Sequence, residues 1–133
     1  MYKTIPYYFY AAAATTGIAG ILHLFLGSRM LDRGINDFSI FFLVSGILQL
    51  FWVVPMLKRW GRPWYYVGLG GTIVLAILWG ITRVPNPITN GMALSINSMS
   101  IVTELFEYAF IVITAVLIVK ERKIHVGPKE SLR

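Results

Sequence analysis

Two carboxylic acids lie inside an apolar run near the C-terminus of this 133-residue chain. The run extends over residues 100–119 and contains Glu104 and Glu107. Residues three apart in a helix share a face, with their side chains beginning about 5 Å apart. An unpaired ionised side chain at the centre of a bilayer costs on the order of 2.5 to 3.5 kcal/mol. The two acids therefore predict polar partners on neighbouring segments.

Three residues elsewhere in the chain have the chemistry to face these acids. His23 and Gln49 lie within other apolar runs, and Arg83 ends a third. We predict one buried polar cluster that also contains the two glutamates. In the structural interpretation of this cluster, Arg83 pairs with one carboxylate. The other carboxylate is then neutral, or it is bonded by a group such as His23 or Gln49.

Two chemical interpretations of the same residues remain open. His23, Glu104 and Glu107 would supply one nitrogen and several oxygens, a donor set that suits zinc, copper, iron or manganese. The di-metal pattern of helical bundles requires two Glu-x-x-His pairs, however, and this chain has Glu107 where the histidine should be. We therefore treat the three residues only as candidate ligands. Acids within a membrane also mark proton or cation pathways.

Four apolar spans must position these residues. They cover approximately residues 7–27, 38–57, 64–82 and 99–119, each close to the roughly 20 residues that a helix needs to cross a bilayer. Backbone groups in lipid must be satisfied internally, which favours helices. The composition, 56% hydrophobic, is also far from that of a soluble domain. The sequence predicts an all-α four-transmembrane-helix bundle, a single membrane domain over residues 1–133, with a polar tail at 120–133.

Small residues at helical spacing predict where these helices pack. In lipid, small side chains allow two helix backbones to approach closely. The expected packing positions are Gly17 and Gly20 in the first helix, and Gly68, Thr72, Ala76 and Gly80 in the third.

The distribution of cations predicts the orientation. Nine Lys and Arg lie in the N-terminal segment, the second loop and the tail, against three in the first and third loops. Cytoplasmic loops carry the excess of Lys and Arg, so both termini are expected in the cytoplasm and the chain in the plasma membrane. The net charge of +6 is explained in this way, and no nucleic-acid partner is expected. The lipid bilayer and other integral membrane subunits are the expected partners.

The helical rise places the polar residues in the outer half of the membrane. At 1.5 Å per residue, His23 and Glu104 would lie roughly 6 to 8 Å below the outer boundary and Glu107 roughly 12 Å below it. Arg83 would lie at that boundary, with a side chain able to bend inward.

Several short motifs resemble those of a group of small four-helix membrane proteins of archaea and bacteria. They are Gly17-Ile-Ala-Gly-Ile-Leu-His-Leu, Phe42-Leu-Val-Ser-Gly-Ile-Leu-Gln-Leu and Leu78-Trp-Gly-Ile-Thr-Arg-Val-Pro-Asn-Pro87, followed by an acid in the last helix. The similarity covers approximately residues 10–118. Within that group, the chain is similar to the accessory membrane subunits of archaeal ammonia monooxygenase. This resemblance implies that copper and substrate oxidation belong to partner subunits, and it assigns no functional residue to this chain.

Three functions follow from these observations. The first is a noncatalytic accessory subunit of a larger membrane complex, which binds no cofactor and performs no catalysis by itself. The second is a metal-binding membrane protein that uses His23, Glu104 and Glu107. The third is a small proton-coupled transporter in which Glu107 titrates. We expect the first, because four helices enclose little space for a substrate.

Overall fold

The protein folds into four long α-helices. The computed structural model describes the backbone of residues 5–32, 37–85, 87, 91 and 98–130, and the side chains of 6–32, 39–85, 87, 91 and 98–121. All regular secondary structure longer than one residue in this part of the chain is α-helical. The helices are α1 (Ile5–Leu31), α2 (Asp37–Lys58), α3 (Arg62–Thr82) and α4 (Ser98–Glu130).

Each helix is long and apolar enough to cross a membrane. The candidate spans are Pro6–Leu31, Ser39–Lys58, Arg62–Thr82 and Ser98–Glu121. Even α3, the shortest helix at 21 residues, is about 31 Å long, which matches a hydrocarbon core of about 30 Å. The predicted all-α fold with four spans is confirmed. The location of the termini relative to the cytoplasm stays a prediction.

Two of the helices extend beyond the apolar spans. Helix α1 continues past Gly27 to Leu31, and α4 continues past Val119 to Glu130. The residues that follow Val119 include Lys, Glu and Arg, which are good helix formers. The first 11 residues of the predicted polar tail are therefore helical, while 131–133 lie outside the described residues.

The helices pack in the order α2, α1, α4, α3. Helix α1 makes its most extensive contact with α2 and a smaller one with α4, and α3 packs mainly on α4. The contact between α2 and α3 is much smaller. The bundle is consequently open on the side between α2 and α3.

Helices α1 and α2 approach closely at facing glycines. A Cβ on Gly20 would lie 2.9 Å from the carbonyl oxygen of Gly46, and one on Gly46 would lie 2.8 Å from that of Gly20. A Cβ on Gly17 would lie 3.2 Å from a methyl group of Val53. Backbone meets backbone at the Gly20–Gly46 crossing, so neither position has room for a side chain.

The small-residue seam of α3 is buried over part of its predicted length. Gly68, Thr72 and Ala76 are buried, and the indole of Trp52 from α2 occupies the space beside Gly68. Gly80 is exposed, and a Cβ there would meet nothing within 4 Å. Within the described bundle the buried part of the seam therefore ends at Ala76, and the packing role of Gly80 stays a prediction.

An apolar core fills the end of the bundle where α1 begins. Its buried members come from all four helices: Phe9, Ala12, Ala13, Met56, Tyr65, Phe110, Leu117 and Ile118. Two cations close this end, since Arg59 lies 4.7 Å from the ring centre of Phe9 and Lys120 lies 4.9 Å from that of Tyr8. The polar residues of interest lie beyond this core, in the other half of the bundle.

Candidate functional site

Three helices each bring a polar side chain to one point in the bundle. His23 comes from α1, Gln49 from α2, and Glu104 and Glu107 from α4. His23, Gln49 and Glu104 are each 5% exposed, and Glu107 is 1% exposed. The spacing of three between the acids places both on the inner face of α4, as the sequence predicts. We call these four residues the polar cluster.

Glu107 is at the centre of the polar cluster. The Gln49 amide nitrogen donates a hydrogen bond of 2.9 Å to Glu107 Oε1. The His23 Nε2 atom lies 3.5 Å from the same oxygen. One carboxylate oxygen thus connects α1, α2 and α4 in the bundle interior.

Backbone groups orient the two partners of Glu107. His23 Nδ1 lies 3.0 Å from the carbonyl oxygen of Ala19, and because a carbonyl can only accept, Nδ1 carries the hydrogen. In the neutral ring, Nε2 then presents its lone pair to Glu107. The Thr16 hydroxyl donates a 3.1 Å bond to the Gln49 carbonyl oxygen, which fixes α2 against α1. The sequence analysis does not predict this role of Ala19. Its position four residues before His23 could have indicated it, because that carbonyl oxygen lies one helical turn away.

The two glutamates interact directly with each other. Their carboxyl groups lie within hydrogen-bonding reach. Each also has a buried Oε2 atom that receives no hydrogen bond from any described residue. A carboxylate oxygen can only accept, so a bond between the two groups requires a proton on one of them.

Arg83 lies near the polar cluster but does not pair with it. All three side chains concerned are described, and no ion pair within 4 Å joins Arg83 to Glu104 or Glu107. The guanidinium lies 4.8 Å from the ring centre of Trp79 instead. Partial burial lowers the pKa of Arg83, and the charge of Glu104 opposes this shift. Arg83 ends α3, and the structure turns its side chain along its own helix, so the expected salt bridge is not formed.

The depths of these residues differ from the sequence estimate. His23 lies level with Glu107, which it contacts, and not level with Glu104. The reason is the added turn of α1, since His23 is 8 residues, or about 12 Å, from the end of that helix at Leu31. Glu107 is 9 residues, or about 14 Å, from the start of α4.

A cleft opens beside the polar cluster, between α2 and α3. Its volume is about 230 Å³. Its lining is largely apolar and includes Leu48 and Trp52 of α2 and Gly71 and Leu75 of α3. Gln49 is the member of the polar cluster that lines this cleft. The Gln49 side chain therefore separates Glu107 from the open side of the bundle.

The predicted metal ligands do not form a metal-binding group in this structure. Within the residues that the structure describes, no three His, Asp or Glu side chains are arranged to hold a metal ion. Of the candidate ligands, His23 Nε2 and Glu107 Oε1 are 3.5 Å apart. Gln49 already donates a hydrogen bond to this Glu107 oxygen. Glu107 and His23 are both groups that can carry a proton, and their facing atoms are 3.5 Å apart.

Comparisons with known proteins add no assignment to this geometry. No family model, curated protein or solved structure matches this chain.

Proposed function

We propose that this chain is a noncatalytic membrane subunit that docks in a larger complex through the open α2–α3 side of the bundle. The observation that carries the proposal is the cleft of about 230 Å³ between these helices, with glycine backbone along its rim. A side chain from a helix of another subunit fits such an opening. The resemblance to accessory subunits of archaeal ammonia monooxygenase makes that copper-dependent complex the first assembly to test.

Helix α3 has the most unpaired surface of the four. Only 17% of the residues in its apolar window are buried, against 39% in α1 and α4. A Cβ on Gly70, Gly71 or Gly80 would meet nothing within 4 Å. Glycine in a helix destabilises it by roughly 0.5 to 1 kcal/mol relative to alanine. Contact with lipid does not offset this loss, whereas the close approach of another helix does offset it.

The exposed face of α2 differs from that of α3 in the size of its side chains. Its outward residues are bulky, including Val44, Ile47 and Phe51, which are 43% to 60% exposed. Such side chains cover a helix well against lipid tails. The glycines are thus concentrated on the α3 side, which favours α3 as the docking surface for a helix of a different subunit.

The cation distribution supports a location in the plasma membrane with both termini in the cytoplasm. Arg59 and Lys120 lie at the end of the bundle where α1 begins. Cations from two separate segments of the chain thus lie at one end of the bundle, and the positive-inside rule favours the cytoplasm for that end.

Extraction from native membranes tests the proposal. In a mild detergent, the chain is expected to migrate in a particle much larger than its own 15.0 kDa plus detergent, together with other integral membrane proteins. Copper in that particle, but not in the isolated chain, would support the ammonia monooxygenase assignment. Recovery of a stable lone monomer under the same conditions would contradict the docking proposal.

A further inference from the structure

We propose that the polar cluster is a proton-binding site, in which Glu104 and Glu107 share one exchangeable proton and His23 Nε2 is the group that accepts it. The proton site itself rests on the bundle interior and not on the docking function, although its route of exchange uses the same α2–α3 cleft.

Buried acceptors outnumber donors in the polar cluster. Glu104 Oε2, Glu107 Oε2 and Gln49 Oε1 are all buried and receive no hydrogen bond from the part of the chain that the structure describes. His23 Nε2 adds a lone pair, because the hydrogen of the neutral ring is on Nδ1. Buried acceptors of this kind are normally satisfied in proteins. The donor that this group lacks is supplied by a proton.

Each neighbouring helix presents a different charge to Glu107. Helix α1 contributes His23, α2 contributes the neutral Gln49, and α4 contributes the acid Glu104. From the end of α3, Arg83 acts on Glu104 but makes no ion pair with either acid. Among the residues that the structure describes, no Lys or Arg forms an ion pair with either carboxyl group. A proton on one of them reduces the buried negative charge from two to one.

A short path connects Glu107 to His23. The two atoms concerned, Glu107 Oε1 and His23 Nε2, are 3.5 Å apart. Transfer breaks the O–H bond of the carboxyl group and forms an N–H bond at Nε2. The products are a carboxylate and an imidazolium, so charge and atoms balance and no co-reactant is needed. The imidazolium would donate to the Glu107 and Gln49 oxygens that it faces.

The α2–α3 cleft reaches the polar cluster at Gln49, and we assign the exchange of the proton to this side of the bundle. Gln49 lines this cleft and also donates to Glu107. A rotation of its amide would expose Glu107 to water in the cleft. Gln49 is thus the positioning residue that controls exchange of the proton.

Infrared spectroscopy of the protein in lipid nanodiscs at neutral pH tests the proposal. A protonated carboxyl group gives a C=O stretch that is distinct from the carboxylate bands and shifts in D₂O. We expect this band in the wild type. We also expect its loss in Glu104→Gln and in Glu107→Gln, because the new amide supplies the missing hydrogen to the remaining acid. Asp32→Asn, which changes an exposed acid at the end of α1, should leave the band unchanged.

An isotope label in the wild-type protein tests the same assignment without a substitution, so the test does not depend on the folding of a variant. Glutamate labelled with ¹³C at the side-chain carboxyl should move the band, since the proton is assigned to glutamate and not to Asp32. Absence of the band from the wild type, or a band that the label does not move, would overturn the proposal. Stoichiometric metal in protein purified without chelator would overturn it as well, because the metal would then occupy the acceptors.

Discussion

At the scale of single residues, Glu107 determines how the centre of the bundle is built. One of its oxygens receives a hydrogen bond from α2 and faces a histidine from α1. A buried polar group is stabilising only when its partners are present, and the loss of one partner leaves the other with its full desolvation cost. The stability of this centre therefore depends on complete pairs and not on individual side chains.

Substitution of Gln49 tests this dependence on pairs. Gln49→Leu should lower the free energy of unfolding by about 1 to 3 kcal/mol, because Glu107 Oε1 loses its amide donor while remaining buried. The double variant Gln49→Leu/Glu107→Leu should be more stable than Gln49→Leu, since both polar partners are then removed together. Unfolding in mixed detergent micelles measures both. Additive losses in the double variant would contradict the account.

The sequence predicts the members of this centre better than their contacts. His23, Gln49 and the two acids are identifiable because polar residues are rare inside apolar spans, and the spacing of the acids puts them on one face. Arg83 satisfies the same rule, yet its side chain turns toward Trp79. That choice depends on the rotamer of a long side chain at a helix end, which spacing alone does not specify.

At the scale of the helices, glycine has two different roles in this chain. Gly20 and Gly46 face each other across α1 and α2 with no room for a Cβ, whereas Gly70 of α3 has open space around it. The first pair sets the distance between two helices within the bundle. In our proposal, the α3 glycines allow a helix of another protein to approach.

Alanine substitutions separate the two roles. Gly20→Ala should destabilise the fold by about 1 to 3 kcal/mol, because the new Cβ forces a backbone contact apart. Gly70→Ala should be neutral or stabilise the isolated protein by up to about 1 kcal/mol, through the better helix propensity of alanine. Thermal unfolding in detergent distinguishes them. Equal losses at both positions would show that α3 is packed more tightly than the structure indicates.

Sequence patterns predict the helices better than they predict the helix ends and the packed faces. The apolar runs predict all four helices, but they miss the last turn of α1 and do not specify where α4 ends beyond Val119, because polar residues continue a helix as readily as apolar ones. The four-residue spacing in α3 also predicts a seam that includes Gly80. The buried part of the seam ends earlier because the position of α3 on α4 is set by tertiary packing.

At the scale of the whole molecule, the orientation in the membrane is open to a direct test. The chain contains no cysteine, so single cysteines can be introduced and labelled. Asp32→Cys and Lys58→Cys change exposed residues at opposite ends of the bundle. A membrane-impermeant maleimide added to intact cells should label the first and not the second. The reverse pattern would place both termini outside.

The docking surface belongs to the same scale, and it is the central claim of the proposed function. Val74 of α3 and Val44 of α2 are matched probes, since they are 55% and 51% exposed. Val74 lies beside Gly70 and Gly71 on the face assigned to a partner helix. Val44 lies on the bulky face assigned to lipid.

Photo-crosslinking in native membranes tests this claim most directly. A photoreactive residue at Val74 should give a product of higher mass that contains a different membrane protein, and the same residue at Val44 should give lipid adducts only. A partner crosslinked from Val44 and not from Val74 would place the docking surface on α2 and contradict the assignment. Lipid adducts alone at both positions, or a product formed only from two copies of this chain, would contradict the proposed subunit function.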